Sequence, residues 1–271
     1  MTKKAVCVGI NDYPYDGNDL NGCVNDAKAW AELLISSFDF AQADVKLLLD
    51  AEATKSNMLT HIKGLLAGAR SDDVLVFTNS SHGSYIADTS GDEPLYDEVL
   101  CPYDIADNAL VDDELRELFA DLPNGVRLTV VSDSCFSGTV TRAAVIDNLP
   151  GLRVPDDRRV RFLSPALRGS PVLQNPWKAM PKRQERYPES HMREILLSGC
   201  TDKEYSYDAL IGGVYHGAMT YFALQAIRAA DCQITYAQLE TRLNALLDQA
   251  GYPQHPQQEG KRQNKKRQVF T

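Results

Sequence analysis

Five short runs of consecutive apolar residues, rich in valine, leucine and isoleucine, stand out along the chain. Alternation of apolar and polar residues indicates a sheet with one face in water, whereas continuous apolar runs indicate strands covered on both faces. The predicted strands are Lys4–Ile10, Val45–Leu49, Asp73–Thr78, Val126–Ser132 and Glu194–Ser198. We therefore expect a sheet whose two faces are both buried.

The segments between these strands carry apolar residues at the spacing of an amphipathic helix. The predicted helices are Asn25–Phe38, Asn57–Ala69, Asp112–Leu122, Gly217–Ala230 and Thr235–Ala250. Thr235 is a suitable N-cap for the last of them. Strands that alternate with helices favour right-handed crossovers and parallel pairing. The predicted fold class is α/β, with a mostly parallel central sheet flanked by helices on both faces.

Between residues 147 and 190 this periodicity is lost, and the chain is rich in proline and arginine. A long stretch without a pattern is typically a linker or a functional loop. We therefore divide one domain into a region 1–146, a linker 147–190 that we expect to be exposed and flexible, and a region 191–271. The basic residues of the linker are Arg153, Arg158, Arg159, Arg161, Arg168, Lys178, Lys182, Arg183 and Arg186.

The charge balance narrows the range of partners. Lys and Arg total 28 against 37 for Asp and Glu, a formal net charge of −9. Because nucleic-acid binding requires a basic surface, no nucleic-acid partner is expected. No apolar run reaches the ~18 residues of a membrane span, so no membrane partner is expected. The six cysteines form no CxxC pair, which argues against a disulfide framework and favours the reducing cytoplasm.

Two loops at predicted strand ends carry residues suited to nucleophilic catalysis. His82 follows the strand Asp73–Thr78, and Cys135 follows the strand Val126–Ser132. Parallel strands end at one edge of a sheet, so the two loops face each other if the strands are neighbours. An imidazole that takes up the thiol proton turns a cysteine into a strong nucleophile. A lone cysteine or histidine is more often structural, but their joint placement in glycine-containing loops favours a catalytic pair.

Several motifs fall in the order and spacing of a known family. The segments SSHGS, GDEPLYDEVLCPYD, DDELRE and SDSCFSG resemble the p20 region of metacaspases, which are caspase-like cysteine peptidases. VGINDYPYDGNDLNGCVNDA resembles the first strand and loop of that family, and ILLSGCTDKEYSYDA and GAMTYFAL resemble its p10 region. The 53 residues from His82 to Cys135 agree with the spacing of about 50 in caspases. The caspase Gln two residues before the nucleophile is absent, and Asp133 takes its place.

The resemblance implies a role for each of these residues. Cys135 is expected to be the nucleophile, and His82 the general base and acid. The backbone N–H groups of Gly83 and Cys135 are expected to form the oxyanion hole. The implied reaction is hydrolysis of protein or peptide substrates through an acyl-enzyme. The implied fold is caspase-like, with a p20-like region 1–146 and a p10-like region 191–271.

Substrate choice is expected to follow from acidic residues near the nucleophile. Caspases bind aspartate with arginines, whereas the matching positions here are Asp26 and Asp133. Two partly desolvated carboxylates would bind a guanidinium, or less specifically an ammonium, and would repel an acid. Ser80 and Cys23 match positions in the pocket wall. We therefore expect cleavage after Arg or Lys, although an acid such as Asp26 can also simply stabilise a helix N-terminus.

The resemblance also implies calcium stimulation and processing. Ten acids lie between Asp88 and Glu114, and calcium takes several carboxylate oxygens. Asp97, Asp112 and Asp113 resemble the calcium-ligand positions of metacaspases, but Arg142 stands where a further acid is expected. An Arg/Lys-specific peptidase would cut an exposed basic linker, so we expect self-processing of a zymogen, against the alternative of a linker that is never cleaved. Metacaspases are typically monomers, and a monomer is expected.

Two other functions stay open from the sequence. One is a catalytically silent regulator that uses a caspase-like fold to bind a partner protein. The other is a relative of the same clan that cleaves after Asn or Asp.

Overall fold

The computed structural model describes residues 1–87, 96–135, 157–164, 189–201 and 204–271. The strands of this part are β1 (Lys3–Gly9), β2 (Val45–Leu49), β3 (Val74–Ser80), β4 (Gly83–Ala87), β5 (Tyr96–Leu100), β6 (Leu110–Val111), β7 (Arg127–Asp133), β8 (Arg158–Val160), β9 (Ile195–Ser198), β10 (Tyr207–Ile211), β11 (Val214–Gly217) and β12 (Gln257–Glu259). Its helices are α1 (Cys23–Ser37), α2 (Lys55–Leu66), α3 (Asp112–Ala120), α4 (Ala218–Arg228), α5 (Tyr236–Gln249) and α6 (Arg262–Lys265).

Six strands form the central sheet, in the order β12-β9-β7-β3-β1-β2. Neighbouring strands are parallel except for β12, which is antiparallel to β9. Each of the five parallel strands overlaps a strand predicted from an apolar run. Every residue of β3 is buried, which explains why its apolar run is continuous. The prediction of a mostly parallel sheet is confirmed.

Helices cover both faces of the central sheet. On β1, Ala5 and Cys7 belong to a core that includes buried residues of α1, α4 and α5, whereas Val6 and Val8 belong to a second core with α2 and α3. The division follows from strand geometry, because successive side chains point to opposite faces. The prediction of helices on both faces is therefore confirmed, and each predicted helix lies within a few residues of an observed one.

Two further sheets of three short strands each were not predicted from the sequence. One has the order β4-β5-β6 and the other β11-β10-β8, and all their pairings are antiparallel. Their strands have two to five residues and include several polar or charged positions. Such short strands lack the continuous apolar run by which the central strands were found.

The expectation of an exposed linker is wrong for the segment around Arg161, whereas the described linker residues Asp157, Arg159, Glu189 and Ser190 are exposed. Strand β8 pairs with β10, and Arg161 and Leu163, which follow it, are fully buried. The pairing partner is distant in sequence, so no local pattern reveals it. Residues 147–156 and 165–188 of the predicted linker lie outside the described part of the chain.

None of the helices in the described ranges combines the length and the apolar character of a transmembrane segment.

The predicted N-cap of the last long helix can be tested by its stability. In the structure, the Thr235 hydroxyl accepts a hydrogen bond from the Gln238 N–H, and the Gln238 side chain accepts one from the Thr235 N–H. Thr235→Ala should lower the free energy of unfolding by about 1 kcal/mol, because one N–H of the first turn loses its partner. Urea denaturation measures the change. Thr241→Ala, on the exposed middle of the same helix, is the control, and an equal loss there would contradict the assignment.

Candidate active site

The loops that carry His82 and Cys135 lie side by side. Strands β3 and β7 are parallel neighbours, with Ser80 opposite Asp133 at their carboxyl ends. Gly83 packs so closely on the second loop that a Cβ there would lie 2.1 Å from the Cys135 carbonyl oxygen. Only glycine fits at this position without displacing backbone. The predicted adjacency of the two loops is therefore observed.

The His82 imidazole is buried and oriented by a backbone carbonyl. Its Nε2 lies 2.7 Å from the Asn18 carbonyl oxygen, which can only accept, so Nε2 carries the proton. Nδ1 is then the unprotonated nitrogen, and it is buried with no hydrogen-bond partner among the described residues. Burial lowers the pKa of His82 to about 4, although the hydrogen bond to Asn18 acts in the opposite direction. The imidazole is thus neutral at pH 7, with a lone pair available to accept a proton.

Tyr13 contacts both the backbone and the ring of His82. Its hydroxyl accepts a hydrogen bond from the His82 backbone N–H at 3.2 Å and donates one to the Cys101 carbonyl at 2.9 Å. Its ring centroid lies 5.0 Å from that of the imidazole. Neither Asn18 nor Tyr13 was identified from the sequence as a partner of His82.

The Cys135 side chain is fully buried. Its thiol donates to the Glu204 carbonyl oxygen at 3.3 Å, and the thiol of Cys200 lies 3.5 Å from the same oxygen. Glu204 follows β9 in the p10-like region 191–271, so the site is assembled from both regions of the chain.

A fully buried guanidinium, that of Arg161, lies among three buried carboxylates. Its Nη2 donates to Asp26 at 2.7 Å and to Asp208 at 3.0 Å, and its Nη1 lies 3.3 Å from the Asp133 carboxylate. Burial alone disfavours the charged form, but the surrounding anionic groups raise the pKa of Arg161 well above its usual range. The guanidinium is therefore charged. The three acids, Asp26, Asp133 and Asp208, are called the specificity pocket below, after the role predicted from the sequence for Asp26 and Asp133.

Each carboxylate of the specificity pocket is held by other donors. Asp133 accepts from the Thr220 N–H at 3.0 Å and from the Thr220 hydroxyl at 2.7 Å. Asp26 accepts from the Gly217 N–H at 2.9 Å. Burial raises the pKa of Asp26, although Arg161 opposes that shift. Asp26 thus serves this cluster and not merely the N-terminus of α1.

Asp208 was not identified from the sequence as a pocket residue. It accepts from the backbone N–H groups of Asn21 at 2.8 Å and of Gly22 at 2.9 Å. It lies in the segment YSYDA, which was assigned to the p10-like region. That resemblance is the sequence feature that could have identified Asp208. No local pattern encodes its contact with Asn21, because the two residues are 187 positions apart.

The backbone of Arg161 also contacts the site. Its carbonyl oxygen accepts from the N–H groups of Gly83 at 3.0 Å and of Cys135 at 3.2 Å, and its N–H donates to the Ser206 carbonyl at 2.9 Å. Leu163 then donates to the Gly83 carbonyl at 2.9 Å. The segment 158–163 therefore crosses the site between β10 and β4, and the two N–H groups predicted to form the oxyanion hole hold one carbonyl oxygen.

The two predicted wall residues are both buried near this cluster. Cys23 begins α1, and burial raises the pKa of its thiol, while the positive charge of Arg161 opposes the shift. Ser80 ends β3, opposite Asp133 in the sheet register. Their roles in a pocket stay a prediction.

The predicted calcium ligands lie on β5 and α3, whereas the acids of the specificity pocket lie on α1, β7 and β10. Asp97 is buried on β5, and Asp112 and Asp113 open α3, where Asp112 lies 3.3 Å from Arg116. Among the described residues, no group of three or more His, Cys, Asp or Glu side chains could hold a metal ion. A calcium site that includes these acids stays a prediction. Arg142 and the acids at positions 88–95 lie outside the described residues.

The sequence matches a known protein family. Residues 3–144 match the family described as "Metacaspase, peptidase C14 domain". The chain is 33% identical to Metacaspase-1 of Arabidopsis thaliana, covering 92% of this chain and 65% of the relative. It is 34% identical to Metacaspase-1A of Aspergillus fumigatus, covering 94% and 68%. The chain thus spans about two thirds of the length of these curated relatives.

Solved structures show the same fold. A protein from Geobacter sulfurreducens, 25% identical, superposes with a TM-score of 0.74 over 100% of this chain and 99% of its own. Caspase-1 from Spodoptera frugiperda, 12% identical, gives a TM-score of 0.59 over 95% of this chain and 86% of its own, a likeness of fold alone. The fold is caspase-like, and the chain belongs to the metacaspase family.

Proposed function

We propose that the protein is a cysteine endopeptidase that cleaves peptide bonds after Arg, and more weakly after Lys. The observation that carries the proposal is the position of Arg161 across the candidate site. Its guanidinium lies among three buried acids, and its carbonyl oxygen accepts from the N–H groups of Gly83 and Cys135. A substrate residue before a scissile bond requires the same two contacts, one for the side chain and one for the carbonyl.

The preference for Arg over Lys follows from the separation of the three acids. Nη2 serves Asp26 and Asp208, while Nη1 faces Asp133, so the planar fork spreads one charge over three partners. A lysine ammonium is a compact point charge and would reach fewer of these oxygens at once. An acidic side chain would be repelled, which disfavours the Asp-directed alternative.

In the proposed chemistry, Cys135 is the nucleophile and His82 is the base. The neutral His82 takes the thiol proton at Nδ1, and the Cys135 sulfur attacks the carbonyl carbon. The oxyanion is stabilised by the Gly83 and Cys135 N–H groups. His82 then protonates the leaving amine, the carbon–nitrogen bond breaks, and water hydrolyses the acyl-enzyme with His82 again as base.

The same geometry supports self-processing at the bond between Arg161 and Phe162. While segment 158–163 is bound, the specificity pocket is filled by the chain's own arginine, so another substrate has no access to it. The protein would then be a zymogen that opens its own site by cutting this bond. This assigns the predicted linker cleavage to one position among its nine basic residues.

A cytoplasmic monomer is part of the same proposal. All six cysteines are free thiols, and five of them are buried, as suits a reducing compartment.

Peptide substrates test the specificity. The self-processed protein should hydrolyse fluorogenic peptides in the order Arg, Lys, then Asn and Asp, and Cys135→Ala should abolish hydrolysis. Asp208→Asn should reduce kcat/KM for the Arg peptide about tenfold or more, because the guanidinium loses one charged partner. Asp16→Asn, an exposed acid of the neighbouring loop, is the matched control.

Two outcomes would contradict this proposal in different ways. Preference for an Asn or Asp peptide would favour the clan relative with that specificity. Absence both of hydrolysis and of labelling by an Arg-chloromethylketone would favour the catalytically silent binding protein.

N-terminal sequencing tests the cleavage position. Incubation of the purified protein should yield a fragment that begins at Phe162, with the sequence FLSPALRGS. Arg161→Ala should remove this N-terminus, and Cys135→Ala should leave the chain intact. Arg159→Ala, at an exposed neighbouring arginine, should cleave normally. A dominant fragment that begins elsewhere in the linker would overturn the assignment to Arg161.

We also propose that calcium stimulates the peptidase through a site near Asp97, Asp112 and Asp113. The support is the resemblance of these positions and the density of acids between Asp88 and Glu114. The described acids supply only part of a ligand set, so further oxygens from residues 88–95 would be needed.

Isothermal titration calorimetry tests calcium binding without reference to activity. The Cys135→Ala protein should bind calcium, and adding Asp97→Ala should weaken binding at least tenfold, because each carboxylate strongly affects affinity. Asp44→Ala, at an exposed acid before β2, is the control. Unchanged calorimetric binding in the Asp97 variant would place any calcium site elsewhere.

A further inference from the structure

Arg158 is the fourth residue before the proposed scissile bond. It contacts an aromatic ring that is not part of the specificity pocket. Its guanidinium carbon lies 4.0 Å from the centroid of the Tyr252 ring. Its Nη1 donates to the Gly251 carbonyl oxygen at 3.1 Å. A guanidinium stacked on an aromatic face is attracted by the negative face of the ring.

The Tyr252 ring is held in place by its neighbours. It is 7% exposed, and its centroid lies 6.2 Å from that of Tyr207 and 5.9 Å from that of Phe222. Its N–H donates to the Leu247 carbonyl at 3.0 Å. Gly251, with φ of 73°, makes the left-handed turn after α5. Ring and carbonyl are therefore held by contacts other than those with Arg158.

The strand geometry of segment 158–161 separates the roles of its residues. Arg158 and Val160 point to one side of β8, and Arg159 points to the other, because side chains alternate along a strand. Val160 packs against the apolar core, whereas Arg159 is exposed and donates to the Asp19 carbonyl at 2.7 Å. A basic side chain at the position of Arg158 thus contacts the surface formed by Gly251 and Tyr252. A basic side chain at the position of Arg159 is exposed to solvent.

We infer that the Gly251 carbonyl and the Tyr252 ring form a second recognition site, called the distal site, for peptide substrates. The distal site selects a guanidinium on the fourth residue before the scissile bond. The inference rests on the proposed function, because the chain's own segment 158–161 is taken as the pattern of a substrate. Preferred substrates have Arg in the first and fourth positions before the cut and an apolar residue in the second.

Four tetrapeptide substrates with a fluorogenic leaving group test the distal site on the self-processed protein. They are Arg-Ala-Val-Arg, Ala-Ala-Val-Arg, Ala-Arg-Val-Arg and citrulline-Ala-Val-Arg, where citrulline is a neutral analogue of arginine. Arg-Ala-Val-Arg should exceed Ala-Ala-Val-Arg in kcat/KM by about 3- to 30-fold, the range expected for a cation on an aromatic face. Citrulline-Ala-Val-Arg should show little of this increase in kcat/KM, because citrulline carries no positive charge.

Variants of the ring give an independent comparison. Tyr252→Ala should reduce the preference for Arg in the fourth position to less than about twofold, measured on the same variant as the ratio of kcat/KM for Arg-Ala-Val-Arg to kcat/KM for Ala-Ala-Val-Arg. Tyr252→Phe should keep the preference, because phenylalanine also presents an aromatic face. Thermal unfolding of each variant reports whether it folds. If Tyr252→Ala does not fold, the comparison of the arginine and citrulline peptides on the wild-type protein still tests the distal site.

The results separate failure of the distal site from failure of the proposed function. Equal gains from Arg in the third and fourth positions would show general attraction of cations by an acidic protein and would overturn the distal site. Equal rates for arginine and citrulline would overturn it as well. Absence of hydrolysis of every peptide ending in Arg would instead contradict the proposed peptidase.

Discussion

The active-site architecture depends on the pairing of one buried guanidinium with three buried carboxylates. Charged groups removed from water are costly unless they are paired and hydrogen-bonded. Both terminal nitrogens of Arg161 are held in this way, Nη2 by Asp26 and Asp208 and Nη1 by the carbonyl and carboxylate of Asp133. These residues come from α1, β7, β10 and the segment after β8. Because removal of Arg161 would leave three buried carboxylates without their cation, this residue holds together elements from distant parts of the chain.

The proposed zymogen follows from the same cluster. A site that must bind an external arginine contains excess buried negative charge when empty, and the chain's own Arg161 compensates part of it. Backbone hydrogen bonds to Gly83, Cys135 and Ser206 add strand-like pairing to this charge pairing. The interactions that would recognise a substrate are therefore those that keep the uncut protein closed, so recognition and latency are linked through one set of contacts.

Much of the fold could be predicted because its signals are local. The five parallel strands are buried on both faces, so each forms a continuous apolar run, and Thr235 caps its helix through residues three positions away. His82 and Cys135 were predicted to be adjacent because they follow strands of one parallel sheet. The short strands β8 and β10 could not be predicted because neither is a continuous apolar run. They are stabilised by pairing with each other.

By itself, the sequence determined the alternating strands and helices, the family motifs and two of the three acids around the guanidinium. Only the tertiary structure decided that Asp208 completes the cluster, that the Asn18 carbonyl orients His82, and that Arg161 is buried within the presumed linker. The physical reason is distance along the chain. Apolar periodicity and helix capping involve residues a few positions apart, whereas these contacts join groups whose proximity exists only once the two cores have packed.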